Sequence, residues 1–171
     1  MIVKSQADIE AHLATIEAST SRAVEALAAL ASPTEALREM KFGRLGRHPI
    51  EDRALNVIEQ VNQTFTYLVA LNAARWLIER HPEAEGFVLA PGAHASQHLD
   101  IMSVVPGLVG AETFAATHPD SNRKLRKDLD RLVSDTSTHR YAFFYSPGFA
   151  PGRHAKLERN CPGIEVHCVD I

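Results

Sequence analysis

Apolar and polar positions alternate with two different periods along this chain, and the change falls near His81-Pro82. Before it the period is helical. Ile9, Leu13, Ile16, Val24, Leu27 and Leu30 recur at roughly helical spacing in an Ala-rich stretch, which predicts a helix from about Ser5 to Ala31. Ser32-Pro33 ends that run, and a shorter helical piece is expected around Thr34 to Met40. Two glycines and a proline between Lys41 and Pro49 predict a basic loop. From Ile50 or Glu51 to Arg80 there is neither Gly nor Pro, so a long helix is expected. Leu55, Ile58, Val61, Phe65, Leu68 and Leu71 form its expected apolar stripe. Glu51 and Asp52 at its start and Arg80 at its end suit the helix dipole.

After His81-Pro82 the runs are short and strand-like. Gly86–Ala90, Leu99–Val105 and Leu108–Ala116 are expected strands, the last two joined at Pro106-Gly107, a pair suited to a type II turn. The small residues Gly110 and Ala111 point to close backbone packing in the third strand. Asp120 or Ser121 is the expected cap of a helix from Arg123 to Val133, with Leu125, Leu129 and Leu132 on its apolar side. An aromatic strand, Arg140–Tyr145, follows; it reads as core, with base stacking as the alternative. A loop over Ser146–Gly152, a short helix over Arg153–Arg159 and a last strand over Ile164–Val169 complete the chain. A helix between the third and fourth strands implies a crossover and a parallel neighbour. The expected class is therefore α/β (α+β): a mixed β-sheet with an αβββαβ core flanked by helices over residues 50–171, preceded by an N-terminal helical extension and basic loop over residues 1–49.

Composition narrows the class little. Apolar residues at 45% and charged residues at 23% exclude wholesale disorder. A net charge of -3 argues against a protein coated in nucleic acid but leaves room for a local basic face. Cys161 and Cys168 form no CxxC or Cys/His set, so idle thiols in a reducing compartment are expected. The segment from Met1 to Asp8 lacks an apolar core of the signal-peptide kind, and no run is long and apolar enough for a membrane span. The expected location is the cytoplasm, with no membrane partner.

The residues with chemical interest are Asp100 and Glu112, which lie in apolar strands either side of the turn. A two-residue loop pairs Ile101 with Glu112, and a three-residue loop pairs Asp100 with Glu112; a slip of one residue decides whether the carboxylates share a face. Two carboxylates that close repel unless one is protonated or a cation lies between them, and Mg²⁺ is held through one or two carboxylates. The plain alternative leaves one carboxylate in solvent and pairs the other with Arg140 or a helix lysine.

Glu59 on the preceding helix, Asp100 on the second strand, Glu112 on the third, and a Lys/Arg-rich helix before the fourth form an order that resembles the PD-(D/E)XK, or restriction-endonuclease-like, nuclease superfamily over roughly residues 50 to 170. The resemblance implies that Asp100 and Glu112 are metal ligands for Mg²⁺ or Mn²⁺ and that Glu59 matches the glutamate of the first core helix. It departs at one place: the lysine expected two residues after Glu112 is Phe114. Lys124 or Lys127 on the next helix is the replacement that the resemblance allows, with Lys124 first by position. It implies a metal-dependent nuclease acting on nucleic acid, DNA in first place. Arg44 and Arg47 in the basic loop, His94, Ser96, Gln97 and His98 before Asp100, and Arg123 are the expected nucleic-acid contacts.

Two rivals stand beside this reading. Phe114 suits a catalytically inactive binding or accessory protein on the same fold, of the kind found in bacterial defence or toxin systems. The His-rich loop around Ser96 could instead serve a zinc hydrolase, although no HExxH or G-x-S-x-G pattern is present. The Ala-rich first helix offers a surface on which a second copy could pack as a homodimer.

Overall fold

The computed structural model describes residues 1–92, 98–158 and 161–171 of the chain. In order, its elements are β1 (Ile2–Val3), α1 (Gln6–Ala28), α2 (Pro33–Phe42), β2 (Gly46–Arg47), β3 (Ala54–Leu55), α3 (Val57–Arg80), β4 (Phe87–Leu89), β5 (Ile101–Ser103), β6 (Val109–Ala115), α4 (Lys124–Ser134), β7 (His139–Tyr145), β8 (Gly152–Arg153) and β9 (Ile164–Cys168). The chain divides into a helical unit, residues 10–67, and a sheet unit, residues 1–9 with 68–171. The boundaries fall inside α1 and α3, whereas the sequence pattern suggested 49/50.

In the sheet unit seven strands run in the order β1-β4-β5-β6-β7-β9-β8. Antiparallel pairing joins β4 to β5 and β5 to β6, while β6–β7 and β7–β9 are parallel. The fold is α/β with a mixed sheet, and α4 supplies the crossover that a parallel β6–β7 pair requires. Residues alternate in direction along each strand, so Phe114, Ala142, Phe144, Ile164, Val166 and Cys168 all face one side. There they enclose Leu125, Leu129 and Leu132 of α4 in one core. On the other side Trp76 of α3 meets the rings of Tyr141, Phe143 and His167. The aromatic strand is therefore mainly core: Tyr141 to Phe144 are buried and Tyr145 is half-buried.

Several local expectations are corrected. Ile2–Val3 forms an edge strand because its backbone pairs with β4, at Ile2↔Val88 and Val3↔Phe87. The segment Gly152–Arg153 pairs with β9 and is followed by a 3-10 turn over Ala155–Leu157, in place of a helix. No side chain caps α4 at its start. Asn122 and Arg123 take left-handed backbone angles instead (φ 53° and 57°). Arg140 closes the other end, donating from Nη1 to the carbonyls of Leu132 (3.2 Å) and Asp135 (3.4 Å).

In the helical unit, β2 and β3 form a two-stranded hairpin where a plain basic loop and the helix start were expected. Helix α3 begins only at Val57, because residues 48–53 turn the chain: the His48 backbone N–H donates to Arg53 O at 2.7 Å, and Asp52 is left-handed (φ 55°). The expected stripe Ile58, Val61 and Phe65 is 46%, 44% and 40% exposed. The buried line is Val57, Gln60, Thr64 and Tyr67. Gln60 turns inward because its amide is satisfied there: Nε2 donates to Ser19 O (3.1 Å), and Oε1 accepts from the Arg47 backbone N–H (2.9 Å). A buried amide with its partners made costs little, and Gln60 so satisfied sets the rotation of the helix.

The leucine stripe of α4 gives a direct check on the sheet unit. Leu129→Ala should lower unfolding free energy by about 2–5 kcal/mol. Val133→Ala, at a position 55% exposed on the same helix, should stay within about 0.5 kcal/mol of the parent protein in urea denaturation.

Candidate active site

The β5–β6 hairpin sets the two carboxylates against each other. Its register pairs Ile101 with Ala111 and Met102 with Gly110. One step further, the same register brings Asp100 opposite Glu112. The connection is longer than the two or three residues expected, running over residues 104–108. The Ser103 hydroxyl causes this by entering the ladder. It accepts from the Val109 N–H at 2.9 Å and donates to Val105 O at 2.5 Å. Asp100 is nearly buried, and its Oδ2 accepts from the Thr113 backbone N–H (2.9 Å) and hydroxyl (3.2 Å). Those two bonds hold the carboxylate at the head of the hairpin.

Glu112 lies mid-strand on the face covered by α4, with no exposed surface. The Arg131 guanidinium approaches, with Nη2 at 2.9 Å from Oε2. The approach pairs the charges but misses hydrogen-bond alignment, so neither Glu112 oxygen receives a hydrogen bond from the described residues. Burial, then the charges of Asp100 and Asp128, push the Glu112 carboxyl up to about 9, against the smaller opposing pull of Arg131 and Lys124. Burial first also raises Asp128, although Lys124 and Arg131 oppose it.

Helix α4 brings the remaining groups. Lys124, Asp128 and Arg131 are spaced i, i+4, i+7 and share a helix face. Asp128 Oδ1 accepts from Lys124 Nζ and from Arg131 Nη2, each at 2.7 Å. Lys124 Nζ also lies 5.8 Å from the centre of the Phe114 ring. A lysine from the helix thus reaches over the strand position where Phe114 replaces the one expected. With every group ionised, three carboxylates face two cations, leaving one negative charge in surplus. Asp100, Glu112 and Asp128 do not form a compact cage: among the described residues, their oxygens do not all lie within 4.8 Å of one another.

The structure therefore brings Asp100, Glu112 and Lys124 together, and adds Asp128 and Arg131. The i, i+4, i+7 spacing of these last two from Lys124 is the signal in the sequence that marks them. Lys127 is exposed on the outer side of α4, where it lines an open cleft with Arg123, Arg126, Asp120 and Asp130. His98 is exposed, with Nε2 at 3.5 Å from Asp135 Oδ2. His94, Ser96 and Gln97 lie outside the described residues. Glu59, Arg44 and Arg47 belong to the helical unit. Glu59 is exposed and closes a reciprocal cap: its N–H donates to Asn56 Oδ1 (2.8 Å), and Asn56 Nδ2 donates to its carboxylate (3.3 Å). Arg44 is exposed, and Arg47 Nη1 donates to Asp52 O at 3.0 Å. Among the described residues, no helix is long and apolar enough to cross a membrane. No family model matches the chain, and neither the curated proteins nor the solved structures searched contain a match.

The buried carboxyl should leave a signature in stability. Glu112 takes up its proton at higher pH in the folded chain than in the unfolded one, so the folded state holds more protons in the window between. Stability should decline as pH rises from the ordinary value of 4.5 towards about 9. Urea denaturation in chelator should show a shallower decline for Glu112→Gln, with the variant the more stable protein near the top of the window.

Proposed function

We propose that this protein is a divalent-cation-dependent phosphodiesterase acting on nucleic acid, on a core resembling the PD-(D/E)XK superfamily. One observation carries the reading. A fully buried glutamate without hydrogen bonds stands opposite a second carboxylate, beside a lysine delivered by the following helix. A buried charge in that state needs a proton or a cation. The element order also supports the reading: α3, the antiparallel strands β4, β5 and β6, then α4 and a parallel β7.

Asp100 and Glu112 would hold Mg²⁺ or Mn²⁺, completed by water and substrate oxygens. When bound, the cation supplies Lewis acidity towards a phosphoryl oxygen and eases deprotonation of water. Every other part comes from the chain. Thr113 orients Asp100. Asp128 holds the Lys124 ammonium over Phe114, where it can orient the attacking water or hold a proton. Arg131 places positive charge beside Glu112 and extends to the surface, suited to a substrate phosphate. A dication turns the surplus negative charge of the site into a surplus positive one, which favours a phosphodiester. Arg123, Arg126 and Lys127 on the outer side of α4 would add sequence-independent contacts to the backbone of DNA.

A binding protein without catalysis is the second reading. Phe114 favours it, because a ring stands where the resemblance places a lysine. The two separate on measurement. With Mg²⁺ or Mn²⁺, plasmid and oligonucleotides, the nuclease should nick, and Asp100→Asn, Glu112→Gln and Lys124→Ala should each lose at least about a hundredfold in rate. Val133→Ala, at an exposed position of α4 outside the site, should stay close to the parent rate. Nicking at equal rates by the parent and the Asp100 and Glu112 variants would refute the assignment. Manganese binding without turnover would leave the binding protein.

A further inference from the structure

A second group of titratable side chains lies in the sheet unit, on the face opposite α4. Helix α3 ends at Arg80, and His81 opens a 3-10 turn over Pro82–Ala84. His139 is the first residue of β7, and Tyr141 follows on the same face of that strand. Ligand atoms of His81, Glu83 and His139 all lie within 4.8 Å of one another. The two imidazoles have ring centres 4.5 Å apart. His81 Nδ1 is 3.1 Å from Glu83 Oε1, and its Nε2 is 2.8 Å from the Tyr141 hydroxyl.

We infer that His81, Glu83 and His139 bind a transition-metal dication of the zinc class, with a further position left to water or a small ligand. The donor set carries the choice of metal. Two imidazoles and one carboxylate suit Zn²⁺ and its first-row neighbours, whereas Mg²⁺ takes oxygen ligands almost throughout. Donors bound at about 2.0–2.2 Å stand roughly 3.4 Å apart around tetrahedral zinc, and this cluster, whose donor atoms all lie within 4.8 Å of one another, has to take up that spacing. It has the freedom to do so at Glu83, which is exposed, and in part at His139, which is half-buried against the ring of buried His81.

Tyr141 supplies the support that metal-binding imidazoles need on their other nitrogen. With metal on Nδ1, the Nε2–H donates to the tyrosine oxygen. Without metal, Nδ1–H donates to Glu83 and the tyrosine O–H donates to Nε2. A hydroxyl serves in either direction, so loading the site exchanges one tautomer for the other without orphaning the buried nitrogen. The Glu83 carboxyl is held below its ordinary value, by its own backbone N–H first and by His81 next, and is ionised at neutral pH. The cluster has no residue in common with the Asp100–Glu112 site.

The experiment uses tag-free, chelator-stripped protein titrated with Zn²⁺ by calorimetry and with Co²⁺ by visible absorption. A single equivalent should bind, with the intense absorption of low-coordinate cobalt, displaced by zinc, and zinc should raise the melting temperature. Glu83→Gln and His139→Ala should each weaken binding at least about tenfold. Glu83 is exposed, so the melting temperature of metal-free Glu83→Gln should match the parent. Glu112→Gln should keep the zinc affinity, which separates this site from the acidic one. No zinc or cobalt binding below millimolar concentration, or parental affinity in both ligand variants, would overturn the inference.

Discussion

The Glu112 carboxylate, shut between β6 and α4 with no hydrogen bond to either oxygen, is the constraint around which the sheet unit is arranged. An unpaired buried charge costs several kcal/mol even after relaxation. Helix α4 answers with Arg131 against Glu112, and with Asp128 holding both Arg131 and Lys124. That polar face lies beside the leucine face of the same helix. Leu125, Leu129 and Leu132 each contribute about 1.5–3 kcal/mol of burial, so the apolar contacts that seat α4 also bring the ions to Glu112. The compensation stops one charge short, and a proton or a bound cation completes it.

Strand alternation keeps two chemistries apart. Glu112 and Phe114 face α4, while His139 and Tyr141 on the neighbouring strand face the C-terminal half of α3. The hard oxygen donors gather on one face and the imidazoles on the other, with a single sheet between them. The parallel pairing of β6 with β7, including Val109↔His139 and Glu112↔Ala142, places small Ala142 beside Glu112 and leaves room for the α4 side chains. His139, at the start of β7, meets the ring of His81 just past the end of α3.

Much of this was legible in residue order. The hairpin, with Asp100 within one residue of opposite Glu112, follows from two apolar runs about a Pro-Gly pair, because cross-strand pairing is local; the register itself does not, since the Ser103 hydroxyl enters the connection. The leucines of α4 and the crossover to a parallel strand follow from helical spacing between two strands. A lysine from the helix was readable as a substitute for the one that Phe114 displaces. The rotation of α3 was not. Ile58, Val61 and Phe65 make the better apolar stripe, yet Gln60 and Thr64 are buried because Gln60 finds partners on Ser19 and Arg47, far from it in the chain.

Within the sheet unit the same division holds. Sequence by itself determined the periods and the punctuation: the long helices, the main strands, and a hairpin that sets Asp100 within one residue of opposite Glu112. Tertiary structure alone decided which helix face turns inward, that Lys124 and not Lys127 reaches the acidic pair, and that Asp128 and Arg131 complete it. It also decided that His81 and His139, distant in the chain, meet across Tyr141. Local preferences act over a few residues, whereas these contacts depend on the register of parallel strands and on side-chain partners supplied by remote segments.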